Sequence, residues 1–192
     1  MSRVVAYTLM SLDGAVEDPR LYFPASSRTD DPFEFDAESE AFEAELTARQ
    51  DAVLMGRGMY DEWVGFWPRV TDNPFATFIN QVRKRVVTSR PLDPSWDNAR
   101  AVSGDLGEVV ARVKAEAEGD VGVHGSIKLL QSLLTLDLVD ELRLVVGPVA
   151  GAPGPRLFEA LPATRSLRLT HASSSTNGNL LLAYEPHRAA AR

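Results

Sequence analysis

Apolar, β-rich segments alternate with helix-forming segments along most of the chain, and this alternation limits the fold more than any other feature. It runs for about 145 residues, and strands alternating with helices favour a mostly parallel sheet covered by helices. Asn177-Gly178 then separates two further β-rich segments, which is a strong signal for an antiparallel hairpin. The sequence therefore predicts an α/β fold: a three-layer α/β/α sandwich with a mostly parallel central sheet and an antiparallel C-terminal hairpin.

Apolar runs, helical spacing and turn residues place the individual elements. The predicted strands are Val4 to Leu9, Asp51 to Gly56, Arg85 to Thr88, Val121 to His124, Leu138 to Val146, Ser166 to Ser173 and Asn179 to Tyr184. The predicted helices are Glu38 to Gln50, Arg57 to Trp63, Pro74 to Val82, Asp105 to Ala117 and Ser126 to Leu134. We expect a single domain over residues 1–186 and a frayed tail over 187–192.

The segment from Glu17 to Asp36 is long for a connection inside one domain. It contains several Pro, Ser and Asp residues and little that could form its own apolar core. Loops of this length are usually functional or mobile, so we expect this one to become ordered when ligands bind.

Composition excludes several classes of function. The chain has 192 residues, no Cys and a formal net charge of −7. The lack of Cys excludes disulfides, thiolate zinc sites and cysteine catalysis, and the three isolated His residues predict no metal site. The acidic balance argues against binding nucleic acid, and no apolar stretch of about 18 residues could span a membrane. We expect a cytoplasmic protein that acts on a small molecule.

Three predicted strands end in residues suited to phosphate binding. They run into Met55-Gly56-Arg57, Val87-Thr88-Ser89-Arg90 and Val123-His124-Gly125-Ser126. In open parallel sheets ligands collect at the carboxyl ends of strands, where helix N-termini offer free amides to phosphate. The fingerprints GxGxxG and GxxxxGK[ST] are both absent, so neither a standard dinucleotide motif nor a P-loop is indicated.

In combination, these segments resemble dihydrofolate reductases and their relatives over nearly the whole chain. The resemblance is strongest to the reductase domain at the C-terminus of bifunctional riboflavin-biosynthesis deaminase/reductases, including stand-alone bacterial relatives. It rests on Met55 to Glu62, Val86 to Arg90, Asp120 to Leu144, Ser11 to Gly14, Gly147 to Val149 and Arg156 to Phe158.

The resemblance implies NADPH as the cofactor. It assigns phosphate contacts to Arg57, Ser89, Arg90, Gly125, Ser126 and Ile127. Gly56 joins this set because a glycine at a strand end allows close approach of the backbone to a ligand. Leu9 and Gly14 would lie beside the nicotinamide. The sequence departs from dihydrofolate reductases at Ser126, which stands where they have the second glycine of a Gly-Gly pair.

A catalytic carboxylate is harder to choose. Dihydrofolate reductases hold their substrate with a carboxylate on the first helix, and the nearest candidates here are Asp36 and Glu40. Both residues also suit the start of a helix, where acidic side chains favour the dipole. Asp13 is the third candidate, and its competing role is an Asx turn before Gly14.

Aromatic residues occur in the sequence on both sides of the predicted phosphate-binding segment at Gly56 and Arg57. Phe35 and Trp67 are candidates for a pocket that holds a flat heterocycle. Packing under the long loop is an equally good interpretation. The full set is Phe33, Phe35, Trp63, Phe66 and Trp67.

The sequence thus favours an NADPH-dependent reductase that transfers hydride to a small planar heterocycle, with 5-amino-6-(5-phosphoribosylamino)uracil as one candidate substrate. A dihydrofolate reductase and a non-catalytic NADPH-binding protein remain alternatives. We also expect a homodimer formed through the C-terminal hairpin, because an apolar sheet edge invites pairing. In that interpretation Leu181 faces away from the core.

Overall fold

The computed structural model describes residues 2–23 and 35–187, which form one eight-stranded sheet. The strands are β1 (Val4–Ser11), β2 (Gln50–Gly56), β3 (Arg83–Val87), β4 (Ala99–Val102), β5 (Asp120–His124), β6 (Glu141–Gly147), β7 (Leu167–Ser174) and β8 (Leu180–Pro186). Their order across the sheet is β4-β3-β2-β5-β1-β6-β8-β7. The first six strands pair in parallel, whereas β8 is antiparallel to both β6 and β7.

Helices cover both faces of the sheet, which confirms the predicted sandwich. The helices are α1 (Ala37–Thr47), α2 (Arg57–Trp63), α3 (Pro74–Gln81), α4 (Leu106–Glu116) and α5 (Ile127–Thr135). The apolar sides of α4 and α5 pack on one face, against alternate residues of β1, β2, β5 and β6. The other face carries α1 over β1, β6 and β8, and α2 and α3 over β2 and β3. None of these helices is long and apolar enough to cross a bilayer.

Two expectations about strands were wrong. Strand β4 was not predicted, because it is a four-residue edge strand that follows two prolines and is largely exposed. Leu181 does not face away from the core: it is 3% exposed and packs beneath α1, whereas Leu180 is 40% exposed. Three consecutive leucines are equally apolar on both sides, so the sequence could not show which side is buried.

Part of the long loop lies outside the described residues. The preceding residues are well anchored, since Tyr22 is fully buried and Phe23 is 4% exposed. The expectation of a loop that ligands order concerns residues 24–34 for the most part, so it stays a prediction.

Candidate active site

The parallel strands bring their carboxyl ends to one edge of the sheet. Gly56 ends β2, His124 ends β5 and Ser11 ends β1, so the three predicted phosphate segments and the loop after β1 share this edge. We call the ends of β2, β3 and β5 the cofactor half of the edge. The acceptor half consists of β1, the loop that follows it and α1.

The loops after β2 and β5 are joined in the cofactor half. The amide of Gly56 donates to the Ser126 hydroxyl over 2.9 Å. Gly125 has φ +72°, and a Cβ at this position would lie 2.6 Å from Cε of Met59. Only glycine fits this conformation and this space without a shift of the neighbouring side chain. The side chain of Met59 therefore packs directly against Gly125, and the first turn of α5 directs unpaired amides to the same edge.

The two arginines of the cofactor half differ in availability. Nε of Arg57 donates to Asp61 over 2.6 Å, and Nη1 donates to the carbonyl of Pro91 over 2.7 Å, so two of its three nitrogens are engaged. Ser89 and Arg90 are exposed at the end of β3. Among the described residues the Arg90 guanidinium forms no ion pair, and only its backbone amide is bonded, to the hydroxyl of Thr88. Of these two arginines, Arg90 is therefore the one whose guanidinium group is available to bind a phosphate.

The loop after β1 is held by the side chain of Asp13. Its carboxylate accepts from the Ser11 hydroxyl over 2.6 Å, from the Gly151 amide over 3.2 Å and from Arg156 over 3.0 Å. The Ser11 hydrogen bond contributes most to lowering the pKa of Asp13 below its usual value. Gly14 follows at φ +86° and makes the turn. Asp13 therefore acts as an ionised support of the loop and has little proton-donating capacity at neutral pH.

Asp36 caps α1 and ties it to the distant hairpin. One carboxylate oxygen accepts from the Ser39 amide over 3.1 Å, and the other accepts from the Asn177 amide over 2.9 Å. The neighbouring Ser39 hydroxyl contacts the Asn179 amide group at 3.4 Å. We call these contacts the hairpin latch. Hydrogen bonds outweigh the effect of burial and lower the pKa of Asp36, so this carboxylate has a structural task.

Glu40 is exposed on α1, whereas Glu43 faces the sheet one turn further along. The Glu43 carboxyl lies against the hydroxyl of Tyr7 on β1. Burial raises the pKa of Glu43 from 4.5 to about 7. Sequence reasoning missed this residue, because it looked for the acid at the start of the helix. Helical spacing from Phe42 and Leu46 was the signal that could have indicated a buried stripe.

The aromatic candidates do not form one pocket wall. Phe35 packs edge-on against Phe23, with ring centroids 5.7 Å apart, in the cluster beneath α1. Trp67 contacts Phe75 at 4.9 Å in a separate cluster beneath α2 and α3. Phe33 lies outside the described residues. Packing explains both rings, although the indole nitrogen of Trp67 is buried without a hydrogen-bond partner in the described structure.

His124 lies at the end of β5 with its ring inside the protein. Its Nε2 contacts the side-chain oxygen of Gln50 at 2.7 Å, and burial lowers the pKa of His124 to about 3. The ring is therefore neutral and packs against Tyr7 and Phe75. Within residues 2–23 and 35–187, no three His, Asp or Glu side chains come together as metal ligands.

These residues fit a dinucleotide phosphate. The first-turn amides of α5 follow Gly125 at this edge, and the exposed Arg90 lies two strands away. Leu9 is partly exposed on the same face of β1 as Tyr7. The Ser126 hydroxyl accepts the amide of Gly56, so this amide is engaged within the protein, and the two loops are joined through it.

Solved structures share this architecture. A putative riboflavin biosynthesis protein from Shewanella sp. PV-4 superposes with a TM-score of 0.74 at 21% identity, covering 97% of this chain and 99% of that one. A Thermotoga maritima diaminohydroxyphosphoribosylaminopyrimidine deaminase/5-amino-6-(5-phosphoribosylamino)uracil reductase gives 0.64 at 14%, over 97% and 57%. Enterococcus faecalis dihydrofolate reductase complexed with NADP(H) gives 0.62 at 12%, over 97% of both chains. The fold is therefore dihydrofolate reductase-like.

Sequence comparison defines the family. The uncharacterized protein YyaP of Bacillus subtilis (strain 168) is 25% identical over 137 residues, which cover 70% of this chain and 73% of that protein. The model of the RibD C-terminal domain matches residues 2–182. This match spans every strand that lines the site and almost the whole described structure. The chain belongs to the RibD C-terminal domain family.

Proposed function

We propose that this protein is an NADPH-dependent reductase that transfers hydride to a small planar heterocycle. The observation that carries the proposal is the arrangement of the strand ends, where the first-turn amides of α5 follow Gly125 and the exposed Arg90, which has no ion pair among the described residues, lies two strands away. Backbone amides at a helix N-terminus bind pyrophosphate, and an arginine without an ion pair adds the charge that a 2′-phosphate requires. NADPH supplies the hydride when it is bound.

The residues of the chain would bind and orient the two reactants. The first-turn amides of α5, beginning with Ile127, would hold the pyrophosphate, and Ser89 with Arg90 would hold the 2′-phosphate. The amide of Ser126 donates to the carbonyl of His124 over 3.0 Å. Leu9 and Gly14 would form the apolar surface on which the nicotinamide rests. The acceptor would then lie beneath α1, next to Tyr7 and Glu43.

We take 5-amino-6-(5-phosphoribosylamino)uracil as the first candidate acceptor. The support is the family to which the chain belongs and the activity named for the T. maritima protein of the same fold. Dihydrofolate is the second candidate, because a carboxyl group on the first helix faces the acceptor half, as the resemblance to dihydrofolate reductases implies.

The test combines binding with turnover. Purified protein is titrated with NADPH and NADH by calorimetry, and NADPH oxidation is then followed by absorbance with each acceptor in turn. We expect NADPH to bind at least tenfold more tightly than NADH, and at least one acceptor to be reduced. Tight NADPH binding without turnover would identify a non-catalytic NADPH-binding protein. Equal affinity for the two cofactors would contradict the cofactor assignment.

A further inference from the structure

All sulfur atoms of the chain belong to methionine, since it has four Met and no Cys. Met1 lies outside the described residues, and Met55 is fully buried in β2. Met10 and Met59 are partly exposed. An oxidant in solvent can reach a thioether only where it is exposed, so Met10 and Met59 are the described sulfur atoms open to oxidation.

These two methionines lie in different surroundings. Met10 follows Leu9 on β1, so its side chain points to the opposite face, where it packs in the cluster beneath α4 and α5. Met59 projects from α2 into the cofactor half. Its Cε lies 2.6 Å, and its sulfur 3.7 Å, from the place that a Cβ on Gly125 would take. Met59 thus combines partial exposure with a direct contact in the cofactor half.

The start of α5 lies beside this contact and lacks a cap. Ser126 stands at the N-cap position, but its side chain forms no capping hydrogen bond and instead accepts the amide of Gly56 at the start of α2. The first-turn amides from Ile127 to Leu129 have no carbonyl of their own helix to bind. A thioether sulfur is only a weak acceptor, so Met59 in its reduced form leaves these amides to an anion.

Resting on the proposed function, which assigns the pyrophosphate to these amides, we propose that Met59 is an oxidation site whose sulfoxide closes the cofactor half to the dinucleotide. The oxidant is a hydroperoxide. A lone pair of the sulfur takes its terminal oxygen, the O–O bond breaks, and the proton of the hydroperoxide moves to the leaving oxygen, which departs as an alcohol or as water. The sulfur loses two electrons and the peroxide gains them.

The sulfoxide acts through its oxygen. This oxygen is a strong acceptor with a partial negative charge, and it is attached to an atom that lies beside Gly125, two residues before the first free amide. The methionine side chain has three rotatable bonds, which let the oxygen turn toward the amides. It then binds the donors that a phosphate would use and repels the phosphate. Reductases return methionine sulfoxide to methionine, so the closure is reversible.

The experiment measures NADPH affinity by calorimetry before and after treatment with hydrogen peroxide, in wild type, Met59→Leu and Met10→Leu. Leucine has a similar volume and cannot be oxidised in this way, and no thiol competes because the chain has no Cys. Peptide mass spectrometry reports which methionine has gained oxygen. Wild type and Met10→Leu should lose affinity about tenfold or more, whereas Met59→Leu should keep its own affinity through the treatment. Methionine sulfoxide reductases should restore wild type.

Two further measurements need neither turnover nor an oxidised sample for binding. Bound NADPH should slow the oxidation of Met59 and leave the rate at Met10 unchanged, because coupling between two binding events is reciprocal. Met59→Gln places a polar acceptor there permanently. It should raise the NADPH dissociation constant about threefold or more relative to Met59→Leu.

The outcomes separate this oxidation site from the proposed function. Complete oxidation of Met59 with unchanged NADPH affinity, an equal loss in Met59→Leu, or equal affinities of Met59→Gln and Met59→Leu would overturn the oxidation site alone. A loss of affinity together with the near-ultraviolet circular dichroism signal would overturn it too, because unfolding would then be the cause. Wild type that binds no NADPH before treatment would overturn the proposed function, and the oxidation site with it.

Discussion

At the ends of β2, β3 and β5 the backbone would provide most of the groups that bind a ligand, whereas beside β1 side chains would provide them. The cofactor half consists of a glycine at positive φ, the amides of α5 and one exposed arginine. The acceptor half is formed by Tyr7 and Glu43, whose polar atoms are buried between a helix and the sheet. A dinucleotide presents phosphates that any such backbone can hold, but an acceptor is recognised by particular side chains.

Among the substitutions that test the difference between the two halves, Gly125→Ala should have the largest effect on stability and NADPH affinity. The new Cβ needs a strained positive φ and the space that Cε of Met59 occupies, so the free energy of unfolding should fall by about 1–3 kcal/mol. NADPH affinity should fall tenfold or more, as measured by calorimetry. Gly151→Ala is the matched control, because Gly151 has φ +80° but a Cβ there would meet no described atom within 4 Å. Equal NADPH affinity in both variants would show that the backbone at Gly125 does not bind the cofactor.

Arg90→Ala should reduce the preference for NADPH over NADH. A charge-assisted contact contributes about 1.5–3 kcal/mol, so the ratio of the two dissociation constants should shrink about tenfold or more. NADH affinity should hardly change, because NADH lacks the 2′-phosphate. Arg100→Ala, at an exposed position on the neighbouring β4, serves as the control. An unchanged ratio in Arg90→Ala would show that another residue contacts the 2′-phosphate.

The buried carboxyl group of Glu43 in the acceptor half should make the free energy of unfolding depend on pH. The pKa of Glu43 is raised by folding from 4.5 to about 7, so its neutral form stabilises the folded state fully below pH 4.5. This contribution is lost as the pH rises toward about 7, and we expect a loss of about 1 kcal/mol or more by pH 8. Chemical denaturation of wild type and Glu43→Gln at several pH values measures it. Parallel curves for the two proteins would show that Glu43 is not held in its neutral form.

A substitution on the outer strand β7 should have the smallest effect on ligand binding by either half. We propose that β7 pairs with a second copy of the chain, because this edge strand is exposed along almost its whole length and Leu169 is 51% exposed. Leu169→Arg should shift the mass measured by light scattering from dimer to monomer and leave NADPH affinity intact. A wild-type mass near 21.0 kDa would contradict the dimer.

The place of the cofactor half in the fold could be predicted from the sequence, because glycines and arginines after β-rich segments mark the strand ends directly, and its role toward a cofactor stays a prediction. The acceptor half could not be predicted, because the sequence does not show whether a given glutamate is buried or exposed. Asp36 caps the start of α1, whereas Glu40 and Glu43 differ only in the side of the helix on which they lie, and α1 shows its buried side only once it packs on β1. Leu181 was misplaced for the same reason: the sequence of β8 does not reveal which of its faces meets α1.

The hairpin latch also has a consequence for the order of events during synthesis. Asp36 and Ser39 are joined to Asn177 and Asn179, so the contacts bridge about three quarters of the chain. On the ribosome, the strands and glycine loops of the cofactor half emerge long before the hairpin does. The start of α1 gains these partners only when the last β-segment has been made. A nascent chain thus acquires the strand ends of the cofactor half first and the latched start of α1 last.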